Sequence, residues 1–236
     1  MDIRINKWLS QAGYCSRRAA DELISQGRVT VDGRIVSAGD RIDENATVFV
    51  DGKQVVKEED EVLIAFYKPR GIVSTTTDKQ GKNNVIDFLN YKKRIYPIGR
   101  LDKDSEGLLF LTNNGEVMNR MIKADLHHEK EYIVGINKPV TEEFLETMRN
   151  GIFLKELNKT TAKCKVEKLS DKTFKIVLIQ GMNRQIRRMC EFCGCKVTKL
   201  KRVRIMNVLL GNLLPGQYRN LTRAEYDELM KELGLK

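Results

Sequence analysis

Hydrophobic positions near the start of the chain recur at helical spacing. Ile5, Trp8 and Leu9 fall on one face of a short helix that Gly13 ends. Ser16 then suits the N-cap of a second helix, because its hydroxyl can accept a hydrogen bond from a free backbone N–H. The apolar face of this second helix consists of Ala19, Ala20, Leu23 and Ile24. The pattern predicts two consecutive helices.

After Gly27, which suits the residue that follows a helix, the spacing changes from helical to alternating. Valines alternate with polar residues around Val29 and again around Val48, and an Asp-Gly pair follows each run. Such pairs are typical of hairpin turns. Residues 1–57 are therefore predicted to form a small domain of two helices and short strands, with the charged run 58–61 as a linker.

Residues 62–236 mix strand-like apolar runs with helical stretches. The clearest strands are predicted at 62–67, 108–111, 132–136 and 174–179. Helices are predicted at 115–123, 141–150, 183–193 and 222–234. Strands and helices do not alternate strictly, and several strands are half polar. We therefore expect an α+β fold with a mixed, largely antiparallel sheet flanked by helices rather than a doubly wound sheet.

The chain is strongly basic, with 42 Lys and Arg against 32 Asp and Glu, a formal net charge of +10 and a pI near 9.3. This balance favours a polyanionic partner, although ordinary solubilising charge also explains it. No run reaches the roughly 18 apolar residues of a membrane helix. The first residues lack the basic-then-apolar order of a signal peptide, so we expect a cytoplasmic protein with no membrane partner.

The five cysteines are odd in number, which argues against a disulfide framework in a reducing compartment. Cys190, Cys193 and Cys195 crowd together and could suggest zinc. A structural zinc site needs four ligands, and both histidines, His127 and His128, lie far away in sequence, so buried free thiols are favoured. The chain also lacks a glycine-rich phosphate loop of the nucleotide-binding types. We expect neither a metal nor a cofactor.

Basic residues mark both predicted N-terminal helices. Arg4 and Lys7 lie one turn apart on the first helix. Arg17 and Arg18 open the second, where exposed amides and the helix dipole already favour a phosphate. A solvated surface explains these residues equally well.

The segment Gly-Arg-Leu-Asp-Lys-Asp-Ser-Glu-Gly at 99–107 places Asp102 in a short polar loop before an apolar run. Such a loop can hold a carboxylate rigidly at the edge of a cleft. A carboxylate there can serve as nucleophile, general base, metal ligand or turn acceptor, and the last is the commonest. Asp104 would permit a glycosidase-like pair, but its spacing from Asp102 fixes no distance between the carboxyl groups.

A second informative segment, 182–204, holds eight basic residues against one acidic residue, Glu191. The basic residues are Arg184, Arg187, Arg188, Lys196, Lys199, Lys201, Arg202 and Arg204. This density exceeds that of a solvated face and indicates contact with phosphates. An arginine of this segment placed against Asp102 would also keep that carboxylate ionised.

Three N-terminal segments carry a family resemblance: Arg-Ile-Asn-Lys-Trp-Leu at 4–9, Gly-Tyr-Cys-Ser-Arg-Arg at 13–18 and Gly-Arg-Val-Thr-Val-Asp-Gly at 27–33. Together they resemble the small α/β RNA-binding domain first described in ribosomal protein S-four. The resemblance covers residues 1 to about 50. It implies that the two helices present basic side chains to folded RNA, and these would be Arg4, Lys7, Arg17 and Arg18.

Later segments carry a second resemblance: Gly-Arg-Leu-Asp at 99–102 with Gly-Leu-Leu at 107–109, Glu-Lys-Glu-Tyr at 129–132, and Asn-Arg-Gln-Ile-Arg-Arg-Met at 183–189. In this order they resemble the signature blocks of the bacterial type-A pseudouridine synthases that are named for the small ribosomal subunit. Three segments are most similar to members of this family that modify large-subunit (23S) ribosomal RNA: Lys-Pro-Arg-Gly-Ile-Val-Ser-Thr-Thr at 68–76, Lys-Asp-Ser at 103–105 and His-Glu-Lys-Glu-Tyr at 128–132.

The resemblance implies that a catalytic domain spanning 62–236 isomerises a specific uridine of ribosomal RNA to pseudouridine, as a monomer and without a cofactor. It assigns Asp102 as the essential aspartate, Tyr132 as the active-site tyrosine and Arg187 as the cation that pairs with the aspartate. Arg100 matches an arginine that helps to open the RNA helix. The resemblance and the basic density of 182–204 together predict the RNA contacts of this domain, which are Arg100, Asn183, Arg184, Gln185, Arg188, Lys199 and Arg202.

Ser105 stands where many members of this family have Thr, and Asn114 where many have Asp. The resemblance leaves open whether Asp102 attacks the nucleoside covalently or assists the departure of uracil, while Tyr132 stacks on the base and helps to remove the C5 proton. The alternative is a non-catalytic RNA-binding factor in ribosome assembly. The presence of Asp102, Tyr132 and Arg187 argues against that alternative.

Overall fold

The computed structural model describes residues 2–57, 60–76, 83–123 and 127–236. Two compact units make up the chain. The N-terminal unit runs to Val62 and includes Lys92–Arg94 and Asn113–Gly115, and the remaining residues form the larger unit. Two residues of the predicted linker, 58 and 59, lie outside the described residues, so the predicted domain limits stay predictions.

The described part of the N-terminal unit contains two helices and six short strands. The helices are α1 (Ile5–Gln11) and α2 (Arg17–Ser25). The strands are β1 (Asp2–Arg4), β2 (Val29–Val31), β3 (Arg34–Ile35), β4 (Arg41–Asp43), β5 (Val48–Val50) and β6 (Lys53–Gln54). Four of them form an antiparallel sheet in the order β3-β2-β5-β6, and β1 pairs with β4. The predicted helices followed by short strands are confirmed, whereas β1 was not predicted.

Local sequence explains where α2 begins and ends. The Ser16 hydroxyl accepts a hydrogen bond of 3.1 Å from the Ala19 N–H at its start. Gly27 follows its end with a φ of +67°, a conformation that favours glycine. Trp8 of α1 is buried, and its indole N–H donates to the Glu44 carbonyl at 2.9 Å. Both predicted capping roles are confirmed.

The larger fold is built from the remaining elements. The helices are α3 (Val85–Leu89), α4 (Gly115–Ile122), α5 (Glu142–Asn150), α6 (Gln185–Phe192) and α7 (Arg223–Glu232). The strands are β7 (Leu63–Lys68), β8 (Tyr96–Ile98), β9 (Glu106–Thr112), β10 (Lys130–Ile136), β11 (Phe153–Leu154), β12 (Lys159–Thr160), β13 (Lys165–Ser170), β14 (Thr173–Leu178), β15 (Val197–Ile205), β16 (Val208–Leu209) and β17 (Tyr218–Asn220). A 3₁₀ turn at Lys155–Leu157 joins β11 to β12.

A nine-stranded mixed sheet organises the described residues of this unit. Its main path is β13-β14-β10-β15-β9-β7-β17, with β8 beside β9 and β16 beside β15. Among these strand pairs β9 and β15 are parallel, and the other pairs are antiparallel. The expected α+β fold with a mixed, largely antiparallel sheet flanked by helices is confirmed.

The helices pack on the sheet through two hydrophobic clusters. In the first, Phe144 of α5 lies edge-to-face on Phe174 of β14, with ring centroids 5.1 Å apart, beside Met189 of α6. In the second, α4 and α7 bury their apolar faces against Phe110 of β9 and its neighbours. Each fully buried large apolar side chain contributes about 1.5–3 kcal/mol. No helix within the described ranges is long and apolar enough to cross a bilayer.

The four predicted helices and four predicted strands of this unit are confirmed to within about two residues at most ends. The sequence does not predict β15, although it is a central strand of nine residues. Its buried positions include Leu200, Arg202 and Ile205. Because one of these is charged and lysines lie between them, the apolar alternation that marks a strand is hidden.

Strands β9 and β15 approach each other closely at Gly107. This residue pairs with Lys68 of β7 on one side and with Arg202 of β15 on the other. Its φ is +111°, and a Cβ placed there would lie 2.2 Å from the Arg202 carbonyl oxygen. Only glycine satisfies both conditions, so the parallel pairing of β9 with β15 depends on this position.

Substitution of this glycine should destabilise the sheet. We expect Gly107→Ala to lower the free energy of unfolding by about 2–4 kcal/mol, since the methyl group meets a backbone that must move and the positive φ is strained. Urea denaturation of the whole chain measures the loss. Gly71→Ala is the matched control, because its φ is +89° and no atom of the described residues lies within 4 Å of the added Cβ. Equal stability of the two variants would contradict the close-contact explanation.

Candidate active site

Asp102 lies in the loop that joins β8 to β9. The Ser74 hydroxyl forms two hydrogen bonds with the backbone of Leu101 in this loop. It donates to the Leu101 carbonyl at 3.0 Å and accepts from the Leu101 N–H at 3.1 Å. The Ser105 N–H closes a turn onto the Asp102 carbonyl at 3.0 Å. The backbone on both sides of Asp102 is therefore fixed, while its side chain remains 30% exposed.

Two arginines of the basic segment face the Asp102 carboxylate. Arg184 Nη1 and Arg187 Nε each lie 3.9 Å from its Oδ2 atom. Arg187 also donates through Nη2 to the Asp104 carbonyl at 3.2 Å and to the Ser105 hydroxyl at 3.4 Å. Burial and the neighbouring Arg184 lower the pKa of Arg187, against the opposing effect of Asp102. The structure thus brings together the aspartate and the arginine that the resemblance pairs.

A pocket of about 100 Å³ opens beside Asp102. One side is polar and contains Asp102, Arg100 and Arg184. Apolar side chains form much of the remainder, namely Leu101, Leu178, Met182, Ile186 and Leu200. Tyr132 also lines the pocket, so the lining combines apolar, aromatic and polar groups, as is usual in sites that bind small molecules.

The sheet holds Tyr132 in place on β10, where it pairs with Ile176 of β14 and Arg202 of β15. The Arg202 guanidinium carbon lies 6.0 Å from the centroid of the tyrosine ring, within cation–π range. The structure therefore brings all three predicted catalytic residues, Asp102, Tyr132 and Arg187, to one part of the larger unit.

Arg202 itself requires a correction. The density of basic residues in 182–204 predicts that it contacts RNA, but its side chain lies in the sheet and the residue is only 3% exposed. Its Nε atom donates to the Leu108 carbonyl at 2.6 Å. A guanidinium fixed to a buried carbonyl cannot reach a phosphate at the surface, so Arg202 supports Tyr132 and the strands around it.

Two lysines add positive charge near Arg202: Lys68, which is buried, and Lys130, which is half-buried. Lys68 is fully buried, and its Nζ atom donates to the Pro69 carbonyl at 2.8 Å. Burial first, and then Arg202, lowers the pKa of Lys68 to about 8, although Asp102 acts in the opposite direction. The same two causes lower the pKa of Lys130 to about 8. The sheet behind Asp102 and Tyr132 therefore carries concentrated positive charge.

Most of the remaining predicted RNA contacts are exposed, and two of them, Arg188 and Gln185, are not. Arg4, Lys7, Arg17 and Arg18 are exposed on the N-terminal unit, and Arg100, Asn183, Arg184 and Lys199 are exposed on the larger unit. Arg188 is instead held by the Asn183 carbonyl at 3.1 Å and by Glu156 at 3.2 Å. Gln185 is buried and lines the pocket rather than the surface.

The cysteine cluster forms no metal site in the described part of the chain, where no three His, Cys, Asp or Glu side chains are placed to hold an ion. Cys190 and Cys195 are buried free thiols, as favoured from the sequence. Burial raises the pKa of Cys190 and raises that of Cys193 to about 11, so both remain protonated near neutral pH.

Sequence reasoning missed several residues that shape the site. Ser74 and Lys68 belong to the block at 68–76, which was used only to assign the subgroup. Gln180 lines the pocket from the end of β14, just before a glycine. A polar residue where an apolar strand ends is a usable signal for a pocket edge, and the sequence carries that signal at Gln180.

Comparisons with known proteins agree with this geometry. Residues 62–192 match the RNA pseudouridylate synthase family, and residues 3–48 match the S4 domain. A crystal structure titled "Crystal structure of pseudouridylate synthase" superposes with a TM-score of 0.71 at 29% identity, covering 96% of this chain and 99% of that one.

Two curated relatives align along nearly the whole chain. The first, "Dual-specificity RNA pseudouridine synthase RluF" of Salmonella typhi, is 50% identical over 230 residues, which are 97% of this chain and 78% of the relative. The second, "Ribosomal large subunit pseudouridine synthase B" of Bacillus subtilis (strain 168), is 38% identical over 232 residues, 96% of this chain and 95% of the relative. The second relative is named for the large ribosomal subunit, in agreement with the resemblance of residues 68–76 to members that modify large-subunit RNA.

The family match covers more than half of the chain, and the relatives match it almost from end to end. A fixed aspartate, its paired arginine and a tyrosine lie where that match places the synthase domain. This chain therefore belongs to the RNA pseudouridylate synthase family and is an RNA pseudouridine synthase with an S4 domain at its N-terminal side.

Proposed function

We propose that this enzyme isomerises a specific uridine of ribosomal RNA, that the target lies in a stem-loop of the large-subunit (23S) RNA, and that Asp102 is the catalytic carboxylate. The observation that carries the proposal is the placement of Asp102 between two arginines at a pocket that Tyr132 also lines. The name of the Bacillus subtilis relative supports large-subunit RNA as the substrate.

The reaction breaks the bond from ribose C1′ to uracil N1 and forms a bond from C1′ to C5. The proton on C5 leaves and N1 gains one, so the product is an isomer of the substrate with no net oxidation. The base must first leave its stack, which costs a few kcal/mol in paired RNA. The pocket beside Asp102 offers the apolar walls and polar edge that can compensate for this cost.

In this proposal Asp102 acts on the nucleoside as its glycosidic bond breaks. The loop holds the carboxylate still, and partial exposure leaves it open to the substrate. Arg187 is the positioning cation, because its Nη2 atom bonds to Asp104 and Ser105 and fixes the Nε edge toward Asp102. Preorganised charge of this kind stabilises charge that develops during a reaction.

Tyr132 is proposed to stack on the target base. Its ring lies in the pocket while Arg202 behind it holds the strand in place. A phenol near C5 can also take part in removing the C5 proton.

The N-terminal unit is proposed to bind phosphates of the same RNA. Its exposed cations on α1 and at the start of α2 suit phosphates, and Arg100, Asn183, Arg184 and Lys199 are proposed as contacts of the larger unit. We also propose that the enzyme acts as a monomer in the cytoplasm.

Removal of the Asp102 charge should abolish catalysis and leave RNA binding intact. We expect Asp102→Asn to reduce the rate of pseudouridine formation on the order of 10⁴-fold, because the catalytic group is lost while the contact surface is kept. Tritium release from 5-tritiated uridine in transcribed ribosomal RNA measures the rate, and filter binding measures affinity. Asp104→Asn is the control, because Arg187 contacts its backbone carbonyl rather than its carboxylate. Full isomerisation by Asp102→Asn would exclude the assigned role.

The cations of α2 should contribute to RNA affinity in a salt-dependent way. Arg17→Ala with Arg18→Ala should weaken binding and reduce the slope of log affinity against log salt by about 1.4–1.8, since each lost phosphate contact removes about 0.7–0.9. Arg28→Ala is the matched control, because Asp51 already pairs with this exposed arginine. An unchanged slope in the double variant would show that these arginines face solvent in the complex.

The target can be found directly in cells. Mapping of pseudouridines in ribosomal RNA from a strain without this gene, and from the same strain with the gene restored, should reveal a site in 23S RNA that is lost and regained. Restoration with Asp102→Asn should leave the site unmodified. A site that appears only in the small-subunit RNA would contradict the proposed target.

A further inference from the structure

The pocket contains a buried hydrogen-bond donor that the protein leaves unused. Gln185, at the start of α6, is 4% exposed and lines the pocket. Its Oε1 atom accepts from the Met182 N–H at 3.2 Å. Its Nε2 atom is buried and has no hydrogen-bond partner among the residues that the structure describes. Buried amide groups are normally paired, so a donor left open at a pocket indicates a ligand that completes it.

A second glutamine shares this arrangement. Gln180, after β14, also lines the pocket, and its Oε1 atom accepts from the Ala162 N–H at 2.8 Å. A backbone N–H can only donate, so the oxygen of each side-chain amide must face the backbone. The NH₂ group of each glutamine is then what remains for a ligand.

We propose that Gln185 and Gln180 recognise the uracil ring through its two carbonyl oxygens, one donor to each. The inference rests on the assignment of this pocket to the target base. Uracil carries carbonyl acceptors at C2 and C4, whereas cytosine carries an amino donor at C4. An amide NH₂ that faces the C4 substituent bonds to uracil and meets a second donor in cytosine. The site thereby distinguishes uridine from cytidine.

Two donors of the same kind also suit the rotation that the detached uracil ring must make during the reaction. To place C5 where N1 stood, the detached ring must turn by half a rotation about the line through N3 and C6. That turn exchanges the C2 carbonyl with the C4 carbonyl. Because both glutamines donate, both hydrogen bonds exist before and after the turn. If one of these positions held an acceptor instead, it would face a carbonyl oxygen in both orientations and one of the two hydrogen bonds would be lost.

The test combines a side-chain change with a change in the substrate. Gln185→Glu keeps the oxygen that Met182 needs and removes the donor. Gln217→Glu is the control, because the Oε1 atom of Gln217 accepts from the Leu214 N–H at 3.0 Å in the same way but does not line the pocket. The substrates are an RNA oligonucleotide with the mapped target uridine, and two copies with 2-thiouridine or 4-thiouridine there. Sulfur accepts hydrogen bonds more weakly than oxygen.

We expect kcat/KM on the uridine substrate to fall about 10- to 100-fold in Gln185→Glu and to stay within about twofold in Gln217→Glu. Wild-type enzyme and Gln217→Glu should lose about 10-fold with each thio substrate. Gln185→Glu should show no further loss with one of the two, and Gln180→Glu should show none with the other. A purely structural role would lower kcat/KM equally on all three substrates.

Thermal melting separates failure to fold from loss of the donor, and the thio effects on the wild-type enzyme do not depend on any variant. Equal wild-type turnover of all three substrates, or an unchanged thio effect in both glutamine variants, would overturn the proposal. Either result leaves the role of Asp102 intact, since wild-type turnover and its loss in Asp102→Asn test that role separately.

Discussion

The close contact of β9 with β15 at Gly107 is the constraint on which the site depends. The loop that carries Asp102 leads directly into β9, and α6, which carries Arg187, precedes β15. On the far side of β15 lies β10 with Tyr132. One parallel pairing therefore fixes three segments that are far apart in sequence. Because the contact leaves no space for a Cβ, the geometry of the site depends on a residue without a side chain.

Charge in the site is arranged in two layers. Beside the pocket, the exposed Arg184 and the largely buried Arg187 face Asp102 at 3.9 Å, a distance that leaves room for adjustment when RNA binds. Beneath them, Lys68, Lys130 and Arg202 are held by backbone carbonyls rather than by carboxylates. Among the described residues none of these three cations forms a direct ion pair with a carboxylate, so the site retains a positive field suited to a polyanionic substrate.

Much of the fold follows from local pattern, since helices with a clear apolar face and apolar strands were predicted at their observed positions. The strand β15 was not, because Arg202 occupies a core position and a buried cation violates the alternation on which strand prediction relies. The basic residues of 182–204 were read as one RNA-binding set. Tertiary packing determines whether a cation faces solvent, a carboxylate or a carbonyl. Arg202 bonds to a backbone carbonyl and Arg188 pairs with Glu156, whereas the exposed Arg184 faces Asp102.

The lowered pKa values of Lys68 and Lys130 also make the stability of the fold depend on pH. A lysine with a pKa of about 8 in the folded chain, against its ordinary value of 10.5, binds its proton less tightly than the unfolded chain does. Between these two values folding releases protons from Lys68 and Lys130, and stability increases as the pH rises through that window. At neutral pH both lysines stay charged, so the fold retains the full cost of burying them. Substitutions that remove this cost would make the sheet more stable. They would also make the active site less positive, so in this enzyme higher thermostability would be accompanied by lower activity.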